Sequence, residues 1–377
     1  MSVALSSPVT MLGCVQDGIS AKPFPWPAGS ATGVGSMPGT DPAEAIAVVV
    51  GELPDLPHLP ELPARGPGAD LVGRTAALLV DMPVQTTAGG WRLATRPGRD
   101  LGRAAGLMSA DLDAAEAAAA GFEGTFKVQL CGPWTLAAAL ELSRSVQPAL
   151  ADQGAVADLV ASLAEGVAAH VASVRRRLPA ATVLVQFDEP GLPGVLAGAV
   201  PTASGLYRLP AVDGSVAADS LRQVLGAAQA PAVVHCCAPD IPFRCITSAG
   251  ASAISFDLGL LRGSDEDAFG EAAESGLGMF VGAIPAVPPA RTVAGSSGSQ
   301  AGARQAAAPE AAARETAAAV IGLWRRIGLP LGALTEQVVV TPACGLAGVS
   351  RARARSVLTQ CQSAARLIPE LVEEGVR

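Results

Sequence analysis

Pro231-Ala-Val-Val-His-Cys-Cys-Ala238 is an apolar, β-branched run that stops abruptly at a histidine and two cysteines. A buried strand that surfaces into a loop gives this pattern. Successive side chains of an extended chain point to opposite sides. His235 and Cys237 therefore share a face, and Cys236 turns the other way, into packing. Imidazole nitrogen beside thiolate sulfur is a donor pair that suits zinc. The same three residues also fit a bland reading, since a buried free cysteine often acts as a small hydrophobe. The rest of the chain decides between them.

The pattern recurs on both sides. Thr182-Val-Leu-Val-Gln-Phe-Asp188 and Ser252-Ala-Ile-Ser-Phe-Asp257 are apolar runs ending in a carboxylate, and Gln337-Val-Val-Val-Thr341 runs into Pro-Ala-Cys344-Gly. Adding Phe126–Leu130 and Gly278–Ala283, with shorter extended pieces at 31–36 and 58–62, gives eight expected strands. Helical patterns at 110–121, 134–145, 155–178, 216–228, 309–327 and 350–375 lie between or after them, and Asp41 with Pro42 reads as a helix start. Residues 65–80 read as a further helix, and 81–106 as an irregular Gly- and Arg-rich segment around Trp91. Continuous apolar strands alternating with helices imply a parallel sheet. Eight such units predict an α/β fold of the single (β/α)8 TIM-barrel class, with its site at the C-terminal ends of the strands. An open doubly wound sheet is the alternative. It calls for a glycine fingerprint after the first strand, and Gly33-Val-Gly35 lacks the third glycine and the acidic partner. Residues 1–25 are expected to be a loose arm and 26–377 the barrel, with a Gly/Ser-rich insert at about 293–307.

Half of the 377 residues are hydrophobic and 16% are charged, enough to bury a large core. A net charge of −8, with no basic cluster beyond Arg175–Arg177, argues against a nucleic-acid surface. No apolar run is expected to be long enough to span a bilayer, and the start lacks the pattern of a secretory signal, so a cytoplasmic location is expected. Seven scattered cysteines make no disulfide framework. Aromatic residues, at 3%, are too few for stacking platforms.

Ser36, Asp188, His235, Cys237, Asp257 and Cys344 all fall at or just past the end of an expected strand, where a barrel gathers its chemistry. Three pieces resemble the C-terminal catalytic barrel of the cobalamin-independent methionine synthase family. They are Val34-Gly-Ser-Met-Pro38, Val185-Gln-Phe-Asp-Glu-Pro190 and Thr341-Pro-Ala-Cys-Gly345, with His235-x-Cys237 and Ile254-Ser-Phe-Asp257 between them in the family's order. The resemblance implies zinc held by His235, Cys237, Asp257 and Cys344, with Asp257 a methylene shorter than the family's glutamate and so a labile ligand. It implies a homocysteine pocket built from Gly35, Ser36 and Asp188. The implied reaction is methyl transfer to the homocysteine thiol, with Asp188 and Asp257 as the carboxylates that serve it.

The departures from the family fall on the donor side. Ala139 stands where the folate-stacking tryptophan is expected, with Trp134 as a nearby substitute. Gly194 stands for a glutamate, Ala283-Ile-Pro285 for a catalytic histidine, and Asp81-Met-Pro-Val-Gln85 offers no clear second carboxylate for homocysteine. The expected donor is therefore methyl-folate or, more in keeping with these losses, a methyl-corrinoid, delivered on a partner protein or free. Alternatives are methyl transfer to another thiol of the coenzyme-M type, decarboxylase chemistry on the same barrel, and a degenerate zinc- or thiol-binding barrel. Decarboxylase chemistry would call for more arginines before residue 65 than the chain has.

Overall fold

The computed structural model describes residues 24–287 and 309–376. Nearly all of the expected arm and the whole Gly/Ser-rich insert lie outside the described residues. In chain order the strands are β1 (Val84–Thr87), β2 (Gly90–Leu93), β3 (Thr125–Cys131), β4 (Leu140–Glu141), β5 (Thr182–Asp188), β6 (Ala232–Cys236), β7 (Ala253–Asp257), β8 (Gly278–Ile284) and β9 (Val338–Pro342). Six of them, in the order β3-β5-β6-β7-β8-β9, form one curled, all-parallel sheet, a half-barrel. Every residue of β3, β6 and β9 is buried, as expected of runs rich in Val, Leu and Phe that are covered on both faces.

The register decides where the polar residues land. Cys131 pairs with Asp188, Asp188 with His235, and His235 with Ser255, one row across four strands at their C-terminal ends. Asp257 pairs with Gly282 and Gly282 with Thr341, which carries the row on toward Cys344.

The expectation of eight laddered strands needs correction. Segments 31–36 and 58–62 are extended, but in place of a ladder their backbones make isolated parallel bridges: Ala31 to Val340 of β9, Ser36 to Glu61, and His58 to Lys127 of β3. Pro57, Pro60, Pro63 and Pro38 punctuate these segments, and a proline has no N–H to give a ladder.

The irregular reading of 81–106 is corrected as well. β1 and β2 form an antiparallel hairpin with Val84 opposite Leu93, and β4 joins β2 in parallel. The helix expected at 110–121 begins earlier and spans Arg99–Ala118. Other helices fall where the pattern puts them, at Gln153–Arg177, Gly214–Ala227, Pro309–Ile327 and Arg351–Val376. Asp41 caps its helix by accepting from the amides of Ala43 and Glu44.

At the opposite end of the strands, Trp26 seals the sheet. It is 4% exposed and packs with Leu56, Leu184, Val233, Phe280 and Val339. Its ring stacks on Phe24 at 5.0 Å and meets Phe280 edge-on at 4.9 Å.

Helix Gln153–Arg177 is long and apolar enough to cross a bilayer, contrary to the expectation from sequence, but half of that stretch is buried within the fold. Its inward face carries Leu159, Leu163, Val167, Val171 and His170. Burial, followed by the nearby charges of Arg74 and Arg177, pushes the His170 imidazole down to about 4, and its Nε2 has no hydrogen-bond partner. In the unfolded chain the same ring takes a proton near 6.5. Between those values the unfolded state binds more protons, so stability falls as pH drops through the window. At pH 5 this histidine is expected to cost about 2 kcal/mol relative to pH 8. His170→Leu should therefore be close to neutral at pH 8 and stabilising at pH 5 in urea titrations of both proteins. Equal differences at the two pH values would contradict it.

Candidate active site

A cleft of about 290 Å³ opens at the C-terminal ends of the strands, and Gly35, Ser36, Glu61, Asp188, His235, Cys237 and Cys344 are among its walls. β6 delivers the first donors. His235 is 3% exposed, its Nδ1 lies 2.9 Å from Ser255 Oγ on β7, and its buried Nε2 has no hydrogen-bond partner. Cys236 is fully buried in the core on the other side of the strand, as the alternation requires. Cys344, just past β9, places its Sγ 3.4 Å from that of Cys237. The neighbouring Cys237 thiol, followed by the His235 ring, holds the Cys344 thiol well below its usual range. The same contact pushes the Cys237 thiol up.

Asp257 stands apart. Its Oδ1 accepts from the Gly259 amide at 2.8 Å, capping the turn after β7, and the residue is not among the cleft walls. Burial raises its pKa. Of the four positions expected to bind metal, the structure brings three to the cleft. Among the described residues no group of three or more His, Cys, Asp and Glu is arranged to hold a metal ion. The donor set nonetheless suits zinc: a buried imidazole nitrogen lacks a partner, its other nitrogen is oriented by Ser255, and two sulfurs face each other. Two Zn–S bonds of about 2.3 Å at a tetrahedral angle span about 3.8 Å, so the sulfurs need to part only slightly.

The same cleft also carries carboxylates and backbone. Asp188, 6% exposed, accepts from Gln186 Nε2 at 2.6 Å, and burial pushes its pKa up to about 7. Glu61 bridges to Ser36 through the backbone, and its Oε1 lies 3.1 Å from Nη1 of the buried Arg74. The Ser36 carbonyl accepts from the Leu346 amide at 2.8 Å. A side chain at Gly345 would meet Ser36 Oγ and force the serine hydroxyl to turn away.

A family profile described as "Cobalamin-independent synthase, Catalytic domain" matches residues 29–367. The chain belongs to this family. Membership makes it, at the level of the family, a methyltransferase of the methionine synthase type. A solved B12-independent methionine synthase from Shewanella sp. W3-18-1, in complex with selenomethionine, is similar in fold. It has a TM-score of 0.57 and 13% identity, covering 92% of this chain and 99% of that one. A mandelate oxidase mutant with benzaldehyde is 16% identical over 82% of this chain and 84% of that one, and its TM-score of 0.25 carries no weight. No curated protein matches the chain.

Among the charged residues that line the cleft, Glu61 is the one that the sequence reading did not name. A second carboxylate was sought at 81–85, yet the one facing the cleft ends the segment 58–61, where a strand-end rule applied to every extended piece finds it. Trp134 is not a substitute stacking surface. It is 2% exposed, and its Nε1 donates to the Ala217 carbonyl at 3.0 Å. Arg65, after Pro63, pairs with Asp111 at 2.7 Å. Glu189 is fully buried and accepts from the amides of Trp134 and Thr135 and from Thr135 Oγ1, capping the helix Pro133–Ala139.

Proposed function

We propose that this chain transfers a methyl group to the thiol of homocysteine, forming methionine, with a zinc ion held by His235, Cys237 and Cys344 and with Asp257 as its labile fourth ligand. The observation that carries the reading is that one cleft is lined by both kinds of group, the soft donors His235, Cys237 and Cys344 together with Asp188, Glu61 and the Ser36 turn. When bound, zinc supplies a thiol with a far lower pKa than the usual value near 8.5, and so a nucleophile at neutral pH. The protein's own groups then orient the amino acid. Asp188 and Glu61 take the ammonium, and the backbone amides about Gly35 and Ser36, with the serine hydroxyl, take the carboxylate. The pairing of two acidic side chains with this turn favours an amino-acid thiol over an acceptor of the coenzyme-M type, which carries no ammonium. On this reading segments 31–36 and 58–62 act as the first two staves of a closed (β/α)8 barrel, and the reaction belongs in the reducing cytoplasm, where free thiols persist.

The donor follows from what the cleft lacks. Trp134 is buried, and Ala139 and Gly194 stand where the family's folate contacts are expected. A folate held without stacking or anchors is poorly aligned with the thiol, and alignment is a large part of the barrier. A corrinoid leaving group also needs no proton, whereas a folate leaving group does. Zinc-loaded protein offered homocysteine with methyl-folate and methylcobalamin side by side is expected to form methionine, at least about tenfold faster from the corrinoid. Efficient turnover with methyl-folate would overturn the choice of donor, and no methionine from either would overturn the function.

A further inference from the structure

Lys127 lies beneath the cleft in the middle of β3, with no exposed surface. Its Nζ donates to three acceptors: the Val34 carbonyl at 3.0 Å, Gln129 Oε1 at 3.3 Å and Gln186 Oε1 at 2.8 Å. That is the full donor complement of an ammonium, which a buried charge requires. The Gln186 amide in turn donates from Nε2 to the Val34 carbonyl at 2.8 Å and to Asp188 Oδ1 at 2.6 Å. Gln129 donates to the Leu59 carbonyl, two residues before Glu61. Neither Lys127 nor Gln186 lines the cleft, yet between them they touch the backbone before Gly35-Ser36 and the carboxylate of Asp188.

A primary amide has two ends of nearly equal shape, and its orientation follows from its neighbours. A lysine fixed on one side compels the oxygen to face Lys127 and the NH₂ to face Asp188. Asp188 Oδ1 is then occupied, and its second oxygen is left for whatever enters the cleft. A buried ammonium is a poor way to gain stability, because a well-packed apolar residue of similar volume often does as well or better. We infer that Lys127 is a positioning residue for the amino-acid end of the substrate, acting through the Gln186 amide and the Val34 carbonyl to aim the free oxygen of Asp188 at the ligand's ammonium. The inference rests on the reading of the cleft as an amino-acid pocket.

The test compares homocysteine with its des-amino analogue, which keeps the thiol and the carboxylate but has no ammonium. Dissociation constants are measured by calorimetry on zinc-loaded protein, and kcat at saturating homocysteine. Lys127→Met is expected to weaken homocysteine on the order of tenfold or more while changing kcat and the affinity for the analogue by less than about threefold. In calorimetry Asp188→Asn should weaken homocysteine more than the analogue, and the Lys127→Met/Asp188→Asn double variant should bind homocysteine no worse than Asp188→Asn alone. Gln186→Leu, which removes the amide and keeps the ammonium, should reproduce the selective loss and serves if Lys127→Met does not fold. Equal weakening of both thiols, or of neither, would overturn the inference. The pocket itself is judged on the unaltered protein. If that does not prefer homocysteine to the analogue, the amino-acid reading fails. If it does and Lys127→Met and Gln186→Leu keep the preference, this inference alone fails.

Discussion

The His235→Ala/Cys237→Ser variant is expected to purify without zinc and to lose methyl transfer by at least about a thousandfold, the equivalent of roughly 4 kcal/mol of barrier. Two of the three donors that meet at the cleft are removed, and Cys344 is left as a lone sulfur that cannot hold a metal. Metal analysis of the purified protein reads the first effect without any assay of activity. Circular dichroism guards against misfolding, because His235 is a buried residue of β6. Cys236→Ala is the internal control. Its sulfur lies in the core on the opposite face, and burial pushes its thiol up to about 12, so the variant should keep its zinc at some cost in stability. Full zinc retention in the double variant would remove the metal site from these residues altogether.

Trp26→Ala is expected to destabilise the fold by about 3–5 kcal/mol, a loss typical of deleting a buried aromatic side chain. The indole stacks on Phe24, meets Phe280 edge-on and donates from Nε1 to the Glu336 carbonyl at 3.1 Å. Its removal opens a cavity among side chains from several strands and exposes the end of the sheet opposite the cleft. Gly278 reports the same tight fit, because a side chain there would strike the Trp26 ring. Urea unfolding should show a lower midpoint with an unchanged slope, and the folded variant should keep the affinity of the distant cleft. A loss below about 1 kcal/mol would mean that this end of the sheet is sealed by something else.

The parts of the fold that were legible in the sequence are those whose partners hardly matter. β5, β6, β8 and β9 are apolar runs that bury both faces whatever lies beside them, and helices Gln153–Arg177 and Pro309–Ile327 carry their own period. The β1–β2 hairpin was missed because Val84-Gln-Thr-Thr87 and Gly90-Trp-Arg-Leu93 are short, half-exposed and polar. For the candidate site, the strand-end positions of His235, Cys237 and Asp188 were readable, since a polar residue that ends an apolar run is visible without coordinates. Glu61 hid in a proline-punctuated segment that lacks a strand's signature. Lys127 and Gln186 were invisible for a different reason. Inside a strand they read as tolerated polar residues, and only the register of β3 against β5, two residues out of line, brings ammonium to amide. That Asp257 caps its own turn and does not line the cleft is likewise a local choice of side-chain partner, which the sequence pattern does not encode.

The single bridges that hold segments 31–36 and 58–62 make a seam, and the cleft straddles it. Ser36 and Glu61 face each other across that seam through one bridge, while Asp188 and His235 sit on a full ladder. Local opening selects the least-bonded part of a structure, so thermal breathing should concentrate where the amino acid enters. A ligand that grips Ser36 or Glu61 on one side and Asp188 on the other would act as a stitch. It would tie the loose edge to the rigid one and share its binding energy with closure of the molecule. Entry and fastening would then be a single event, with the half-barrel as the fixed jaw and the proline-rich edge as the moving one.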